Sequence, residues 1–191
     1  LFLEGDNRLF ELDTQNAAFQ EKTLPLGSPS TRLKDIFLFN NRLYTLTSDG
    51  AILRHDSALS GYGRGSAWVK DGTDTKGAVS LAVDGTAFVL RGDGEILKFT
   101  SGKKQNFNVG VIDPPLTAPT KIFTSSKHEY LYVLEPSNSR VVVLDKTGKM
   151  IVQYSSGAFH DLKDFAVSDD EKRLFLLAGN SIYGILMNNV K

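Results

Sequence analysis

The sequence predicts an all-β repeat protein, and three observations support this. An aromatic residue returns at nearly constant spacing, each time inside a short apolar run; these aromatics are Phe2, Tyr44, Phe88, Tyr132 and Phe175. Each run is followed by a turn rich in Asn, Asp, Ser and Gly and then by a second apolar run, which is typical of a β-hairpin. Helical periodicity is nearly absent. Hairpins that repeat at about 43 residues predict the blades of a β-propeller.

The five hairpins form the centres of the predicted blades. Their turns contain Asn, Asp and Gly residues that tolerate the positive φ of tight turns. An inner strand precedes the hairpin in four blades, at 36–39, 79–83, 121–124 and 165–167. An outer strand follows it in four blades, at 18–24, 67–70, 104–109 and 150–154. We name the strands of a blade A, B, C and D from the propeller axis outward, so that the recurrent aromatic lies in B.

The chain is predicted to be a single propeller domain over 1–191. Its blades cover approximately 1–27, 31–72, 76–110, 118–156 and 161–188, and the first and last are partial because one strand is missing from each. Two arrangements fit this pattern. The chain is a piece of a six- or seven-bladed propeller, which its non-Met start favours, or it is a five-bladed ring with incomplete terminal blades.

The composition excludes several classes of function. Lys plus Arg and Asp plus Glu both number 22, so the formal net charge is zero, which argues against a nucleic-acid partner. There is no cysteine, so disulfides and thiolate metal sites are excluded. No apolar run is long enough to insert into a membrane. These features fit a cytosolic protein and a bacterial extracytoplasmic one equally well.

The fourth hairpin, 129–149, resembles the NHL repeat of β-propeller proteins. Tyr132, Asn138, Arg140 and Gly148 match that family's pattern, whereas Glu135 stands where the family usually has Asp. The second and third hairpins keep the spacing but not the Asn and Arg. The resemblance implies a propeller of the six-bladed type. Most such proteins are binding modules and a minority are lactonases, strictosidine-synthase relatives or lyases, so the activity stays open.

One position varies while the framework repeats. The residue three after each recurrent aromatic opens the B–C turn, and it reads Gly5, Thr47, Arg91, Glu135 and Ala178. The B–C turns and D–A connections share one rim of a propeller, so Arg91, Glu135 and Arg140 are candidate ligand or partner contacts. The alternative is that Glu135 and Arg140 form a solvated ion pair across the turn, which contributes little.

Two further groups are candidate rim contacts. His160 and Asp161 fall in a D–A connection, where a histidine can carry a proton near neutral pH. Arg64 and Trp68 lie in the glycine-rich segment 61–68, predicted to be the C–D turn of the second blade on the opposite rim. Trp68 either contributes to partner binding or packs against the neighbouring blade. The three histidines are predicted to lie too far apart to bind one metal ion.

Lysines stand near the start of each predicted A strand, and Leu-Lys-Asp occurs there twice, at 33–35 and 162–164. A ring of Lys34, Lys76, Lys121 and Lys163 could hold an anion at the axis. Their distances from the B aromatics are 10, 12, 11 and 12 residues, however, and an odd and an even distance place side chains on opposite strand faces unless the turn lengths compensate. Packing of the entering strand beside a solvated charge pair is the simpler interpretation of the Leu-Lys-Asp repeat.

The sequence thus predicts a non-catalytic recognition or scaffold domain that binds a protein or a small ligand through rim loops. It predicts no catalytic residues, no metal and no cofactor. Two alternatives remain open: a metal-assisted hydrolase or lyase of the propeller type, and the ectodomain of a membrane-anchored bacterial sensor or structural protein.

Overall fold

The computed structural model describes residues 1–188, so 189–191 of the predicted domain lie outside the described residues. This part of the chain forms β-strands joined by short turns, with a one-turn 3₁₀ helix at Pro136–Asn138. The strands build five antiparallel sheets arranged as a five-bladed β-propeller, which confirms the predicted fold class. None of the described helical segments is long and apolar enough to cross a membrane.

The sheets follow one another in chain order. Blade 1 contains β1 (Phe2–Leu3), β2 (Leu9–Asp13) and β3 (Ala18–Lys22). Blade 2 contains β4 (Leu33–Phe39), β5 (Arg42–Thr47), β6 (Ile52–Ala58), β7 (Gly61–Tyr62) and β8 (Ser66–Ala67). Blade 3 contains β9 (Ala78–Val83), β10 (Thr86–Arg91), β11 (Ile96–Thr100) and β12 (Lys103–Gln105). Blade 4 contains β13 (Lys121–Phe123), β14 (Tyr130–Glu135), β15 (Arg140–Asp145) and β16 (Met150–Ser155). Blade 5 contains β17 (Leu162–Val167), β18 (Arg173–Ala178) and β19 (Ser181–Leu186).

The outer strands differ most from the prediction. In blade 2 the D position is split, because β7 and β8 both pair with β6. In blade 3, β12 ends at Gln105, so the predicted strand 104–109 is wrong beyond that residue. Outer strands have a neighbour on one side only, and their residues are largely exposed here, so apolar pattern marks them poorly.

The first recurrent aromatic, Phe2, is out of register with the others. Leu3 pairs with Leu9 beside the turn, as Leu46 pairs with Ile52 in blade 2. The Glu4 N–H donates to Arg8 O at 2.8 Å, just as the Thr47 N–H donates to Ala51 O at 2.9 Å. Leu1 therefore corresponds to Tyr44, and Glu4 rather than Gly5 opens the first B–C turn. A shift of one residue along a strand reverses its faces, so Phe2 points away from blade 2.

The core lies between successive blades. Tyr44 of blade 2 packs with Val89 and Phe99 of blade 3, and Phe88 of blade 3 packs with Val133 of blade 4. Tyr132 continues the pattern, packing against blade 5 in the next cluster. The B strands of blades 2, 3 and 4 are covered on both faces, which explains why their apolar runs are continuous rather than alternating.

The outer faces of the terminal blades are not covered by the described residues. Phe175 corresponds to the buried Phe88 and Tyr132, but it is 38% exposed. Phe2 and Phe19 on blade 1 are 50% and 61% exposed and contact each other edge to face. Only the inner interfaces of the propeller are therefore complete within the described chain.

Candidate binding site at the axial cavity

Four polar residues occupy the same position on four successive inner strands. They are Asp35 of β4, Ser80 of β9, Lys121 of β13 and Asp164 of β17. Each pairs with the leucine two residues after the B aromatic; the pairs are Asp35–Leu46, Ser80–Leu90, Lys121–Leu134 and Asp164–Leu177. We call these four residues the axial ring, because the inner strands line the propeller axis.

Hydrogen bonds link the axial ring from blade to blade. The Ser80 hydroxyl donates to Asp35 Oδ2 at 2.7 Å and accepts from the Ile122 N–H at 3.2 Å, which connects blades 2, 3 and 4. Lys121 Nζ donates to Asp164 and so connects blades 4 and 5. The ring is therefore a structural belt as well as a set of polar groups facing the axis.

The repeated Leu-Lys-Asp motif has one local structure in both copies. A β-bulge falls between Leu33 and Asp35 and again between Leu162 and Asp164. In each copy the Asp carboxylate accepts the N–H of the next residue, Ile36 at 2.9 Å and Phe165 at 2.7 Å. The bulge gives the strand an extra residue, which places Asp rather than Lys in the axial register.

The lysines consequently do not form one ring. Lys34 and Lys163 occupy bulge positions, whereas Lys121 shares the register of the aspartates. Lys34 Nζ donates to Ala78 O at 3.2 Å, and Lys163 lies 3.4 Å from Asp161. Neither lysine pairs with the aspartate of its own Leu-Lys-Asp copy. Lys34 contacts the backbone of blade 3, and Lys163 forms an exposed ion pair with Asp161 instead.

The environment of Asp35 perturbs the ionisation of its carboxyl group. Burial raises its pKa above the ordinary value, against hydrogen bonds from Ser80, Leu81 N–H and Ile36 N–H and the charge of Lys121, which lower it. The Leu81 N–H lies 2.9 Å from Oδ2. The carboxyl is held by fixed donors in a partly desolvated position at the axis.

A cavity of about 430 Å³ lies at the axis below this ring. Its polar lining comes from Lys34, Asp35 and Lys121. Its apolar lining comes from Leu1, Phe2, Leu3, Ile36, Phe37, Leu81, Ile122 and Phe123. On β4 and β13 the polar residues precede the apolar ones, so the charges lie at the end of the cavity where the A strands begin. This end faces the rim formed by the B–C turns and D–A connections, which we call the upper rim.

Arg91 lies on the upper rim, as expected. Its Nε is 3.6 Å from Asp93 Oδ2 and 3.4 Å from Glu95 Oε2, and its side chain is 27% exposed. Its guanidinium also approaches Gly77, at the entry to the inner strand β9. The arginine is held by two exposed acids of its own turn.

Glu135 and Arg140 are buried, so the predicted solvated pair is wrong. Their side chains are 0% and 2% exposed, and Arg140 Nε donates to Glu135 Oε2 at 2.7 Å. Arg140 Nη2 also donates to Pro114 O at 2.8 Å, and Glu135 Oε1 accepts the Thr117 N–H at 2.7 Å. The reason is the connection 111–119, which folds over the pair and supplies the polar partners. The pair shapes the upper rim from beneath.

Arg64 lies near the upper rim, not on the opposite one. Strand β6 continues to Ala58, so the chain reverses before Gly61 and 61–67 returns toward the B–C turn. Arg64 lines a surface cavity of about 460 Å³ together with Arg32, Ser48 and Asp49. Trp68 is 7% exposed, with its ring edge to face against Tyr44 and Phe99 at 5.7 and 5.9 Å. This bears out the packing interpretation of Trp68.

The histidines are spread over the molecule. His160 is exposed, beside Asp161, whose backbone oxygen accepts the Gly179 N–H at the blade 5 B–C turn. His55 is fully buried within blade 2, inside strand β6, where Nδ1 lies 2.9 Å from Gly63 O. Burial lowers the pKa of His55. Within residues 1–188 no three His, Asp or Glu side chains converge as a metal site would require.

These features define a class of protein: a β-propeller with a polar belt around its axis and an axial cavity whose charged end, which we call its mouth, lies toward the upper rim. The sequence shows both Leu-Lys-Asp copies, but it does not predict the belt, because Ser80 belongs to no recognisable motif. No protein-family model matches the chain, and no curated protein sequence matches it.

Solved propeller structures are similar in fold. Myxococcus xanthus glutaminyl cyclase aligns with a TM-score of 0.62 and 14% identity, over 95% of this chain and 88% of that one. A streptogramin B lyase aligns with 0.58 and 14%, over 96% of this chain. The WD40 β-propeller domain of Doa1 aligns with 0.59 and 11%, over 84% of this chain. The chain spans 63% of that lyase and 53% of that WD40 chain. At such identities the likeness shows the fold alone.

Proposed function

We propose that the chain is a recognition domain that binds its ligand on the upper rim, over the mouth of the axial cavity. The observation that carries this is the axial ring: four structurally equivalent positions hold Asp, Ser, Lys and Asp while the surrounding framework repeats. A stacked framework holds such groups rigidly, so little ordering entropy opposes binding.

The upper rim supports the same proposal. Arg64 and Arg91 both lie near it, and His160 and Asp161 lie in the connection that enters β17. Glu135 and Arg140 act from below, by fixing the connection 111–119. A protein that covers the upper rim would contact the arginines as well as the mouth of the axial cavity, whereas a small molecule in the cavity would contact Lys34 and the axial ring.

Acid–base chemistry at the axis is the second candidate. Burial raises the pKa of Asp35 and Lys121 lies close enough to oppose that rise, which is the kind of perturbed pair that hydrolases and lyases use. Two of the propellers with a similar fold are a cyclase and a lyase, which makes this worth testing directly. Hydrolysis of simple lactones or esters, with or without added divalent metal, would favour it over recognition.

The test is a ligand screen by thermal denaturation with small molecules and peptides. Any hit is repeated on two variants of the upper rim, Arg64→Ala and Arg91→Ala, and on Lys127→Ala and Lys149→Ala, which lie on the turns of the opposite rim. We expect the ligand-induced rise in melting temperature to shrink in an upper-rim variant and to persist in both controls. Hits that are insensitive to both upper-rim variants and to Lys34→Gln at the axial cavity would contradict the proposal.

A further inference from the structure

The axial cavity has an apolar body and a charged mouth. The rings of Phe37 and Phe123 lie on its wall with centroids 6.3 Å apart, and Ile36 and Leu81 extend the apolar surface. A volume of about 430 Å³ lies within the range of small-molecule sites. A ligand of matching polarity would bury its apolar part against the two rings.

Lys34 is the available cation at this mouth. Its Nζ donates to Ala78 O at 3.2 Å and has no ion-pair partner within residues 1–188. An ammonium carries three N–H groups, so donors remain for an anion. Lys121, by contrast, is already paired with Asp164. Because Lys121 and Asp164 neutralise each other, the mouth offers the unpaired positive charge of Lys34 next to one carboxylate without an ion-pair partner among residues 1–188, that of Asp35.

This balance of charge selects among anions. Asp35 would repel a dianion such as a phosphate monoester more strongly than a monoanion, since like charges at short range are destabilising. A single carboxylate requires one cation and is repelled less by the neighbouring Asp35. The apolar lining then requires that the carboxylate be attached to an aromatic or aliphatic group rather than to a sugar.

We propose that the axial cavity binds a small amphipathic carboxylate, with the carboxylate accepting hydrogen bonds from Lys34 and the apolar group packed against Phe37 and Phe123. The inference rests on the proposed function and names the ligand class of the same site.

The test uses three probes with one phenylpropyl body: hydrocinnamate, hydrocinnamyl alcohol and phenylpropylamine. Binding is measured by titration calorimetry and by changes in the NMR chemical shifts of the protein. We expect hydrocinnamate to bind most tightly and phenylpropylamine least. Lys34→Gln should weaken hydrocinnamate about tenfold, the effect of losing one charged hydrogen bond, and leave the alcohol unchanged. Lys149→Gln, on the opposite rim, is the matched control and should change nothing.

Equal binding of the three probes, or unchanged hydrocinnamate binding in Lys34→Gln, would overturn the carboxylate assignment. Failure of all three probes would also overturn it. In either case, ligands that depend on Arg64 or Arg91 in the thermal screen would leave the proposed function standing. Absence of both kinds of binding would overturn the two proposals together.

Discussion

Glu135 and Arg140 form a buried ion pair that joins the two ends of the blade 4 B–C turn to the connection before that blade. Arg140 Nε and Nη2 both contact Glu135 Oε2, at 2.7 and 2.5 Å, and Nη2 also reaches Pro114 O and Pro115 O. Burial raises the pKa of Glu135, but hydrogen bonds from Thr117 N–H and the other donors around it outweigh burial and lower it overall. The charged pair is thus fully compensated by polar partners.

Arg140→Met should destabilise the protein strongly, because it leaves the Glu135 carboxylate buried without its cation. The expected loss in the free energy of unfolding is about 3–5 kcal/mol. Urea denaturation measures it. The control is Arg42→Met, which breaks the exposed pair of Arg42 with Asp56 and should cost about 1 kcal/mol or less. Equal small losses in both variants would show that the buried pair is not a stabilising contact.

Ser80→Ala should weaken the axial ring. Ser80 is buried, with 2% of its surface exposed. Its hydroxyl donates a hydrogen bond to Asp35 and accepts one from the Ile122 N–H. Its removal takes a donor from a carboxylate and leaves a buried N–H without a partner, at a cost of about 1–3 kcal/mol. Ser66→Ala removes an exposed hydroxyl whose one contact, to Arg54 O, is 3.5 Å long, and should be nearly neutral. A neutral Ser80→Ala would show that the belt does not link the blades energetically.

The sequence was sufficient to predict the hairpins and insufficient to predict the axial ring. Apolar runs and turn residues identify B and C strands, because burial on both faces and positive φ leave local signals. The register of the A strands depends on bulges at Lys34 and Lys163 and on the A–B turns. Those turns have two residues after β4 but six after β13, so counting back from the aromatics misaligns the inner strands.

The errors at Phe2 and Arg64 have a related cause. Phe2 lies one residue from the position that the period indicates, and a step of one residue reverses the face of a strand. The C–D turn is predicted around Arg64 because the outer strand is expected to begin only at 67, yet the returning segments β7 and β8 already begin at Gly61 and Ser66. Glycine is common both in turns and where two backbones approach closely. The pairing of β6 with β7 and β8 shows which of these applies around Arg64.

The axial aspartate should give the protein a distinct pH dependence. The raised pKa of Asp35 means that the folded state takes up this proton at higher pH than the unfolded state does. Between the two pKa values the folded state holds more protons, so this group makes the protein more stable as pH falls and less stable as pH rises. Glu135 has the opposite sign, because its pKa is lowered. The pH dependence of wild-type stability therefore combines opposite contributions from Asp35 and Glu135.

Comparison with Asp35→Asn isolates the contribution of Asp35. The unfolding free energy of the wild type minus that of the variant should increase as pH falls from neutrality toward the ordinary pKa of an aspartate, whatever constant cost the amide imposes. Chemical denaturation at several pH values provides the measurement. A difference that stays flat or decreases over this range would mean that burial does not dominate the ionisation of Asp35.

Gly65→Ala should destabilise blade 2, because a methyl group there would lie 2.5 Å from His55 Cε1 and 2.7 Å from Nε2. The imidazole cannot easily yield, since Nδ1 lies 2.9 Å from Gly63 O and Nε2 lies 3.1 Å from the Thr45 hydroxyl. Overpacking of this kind costs about 1–3 kcal/mol. Gly157→Ala is the matched control, because its new methyl group would have no atom within 4 Å. Thermal denaturation of the two variants compares them, and a Gly65→Ala protein as stable as Gly157→Ala would mean that His55 can be displaced without loss.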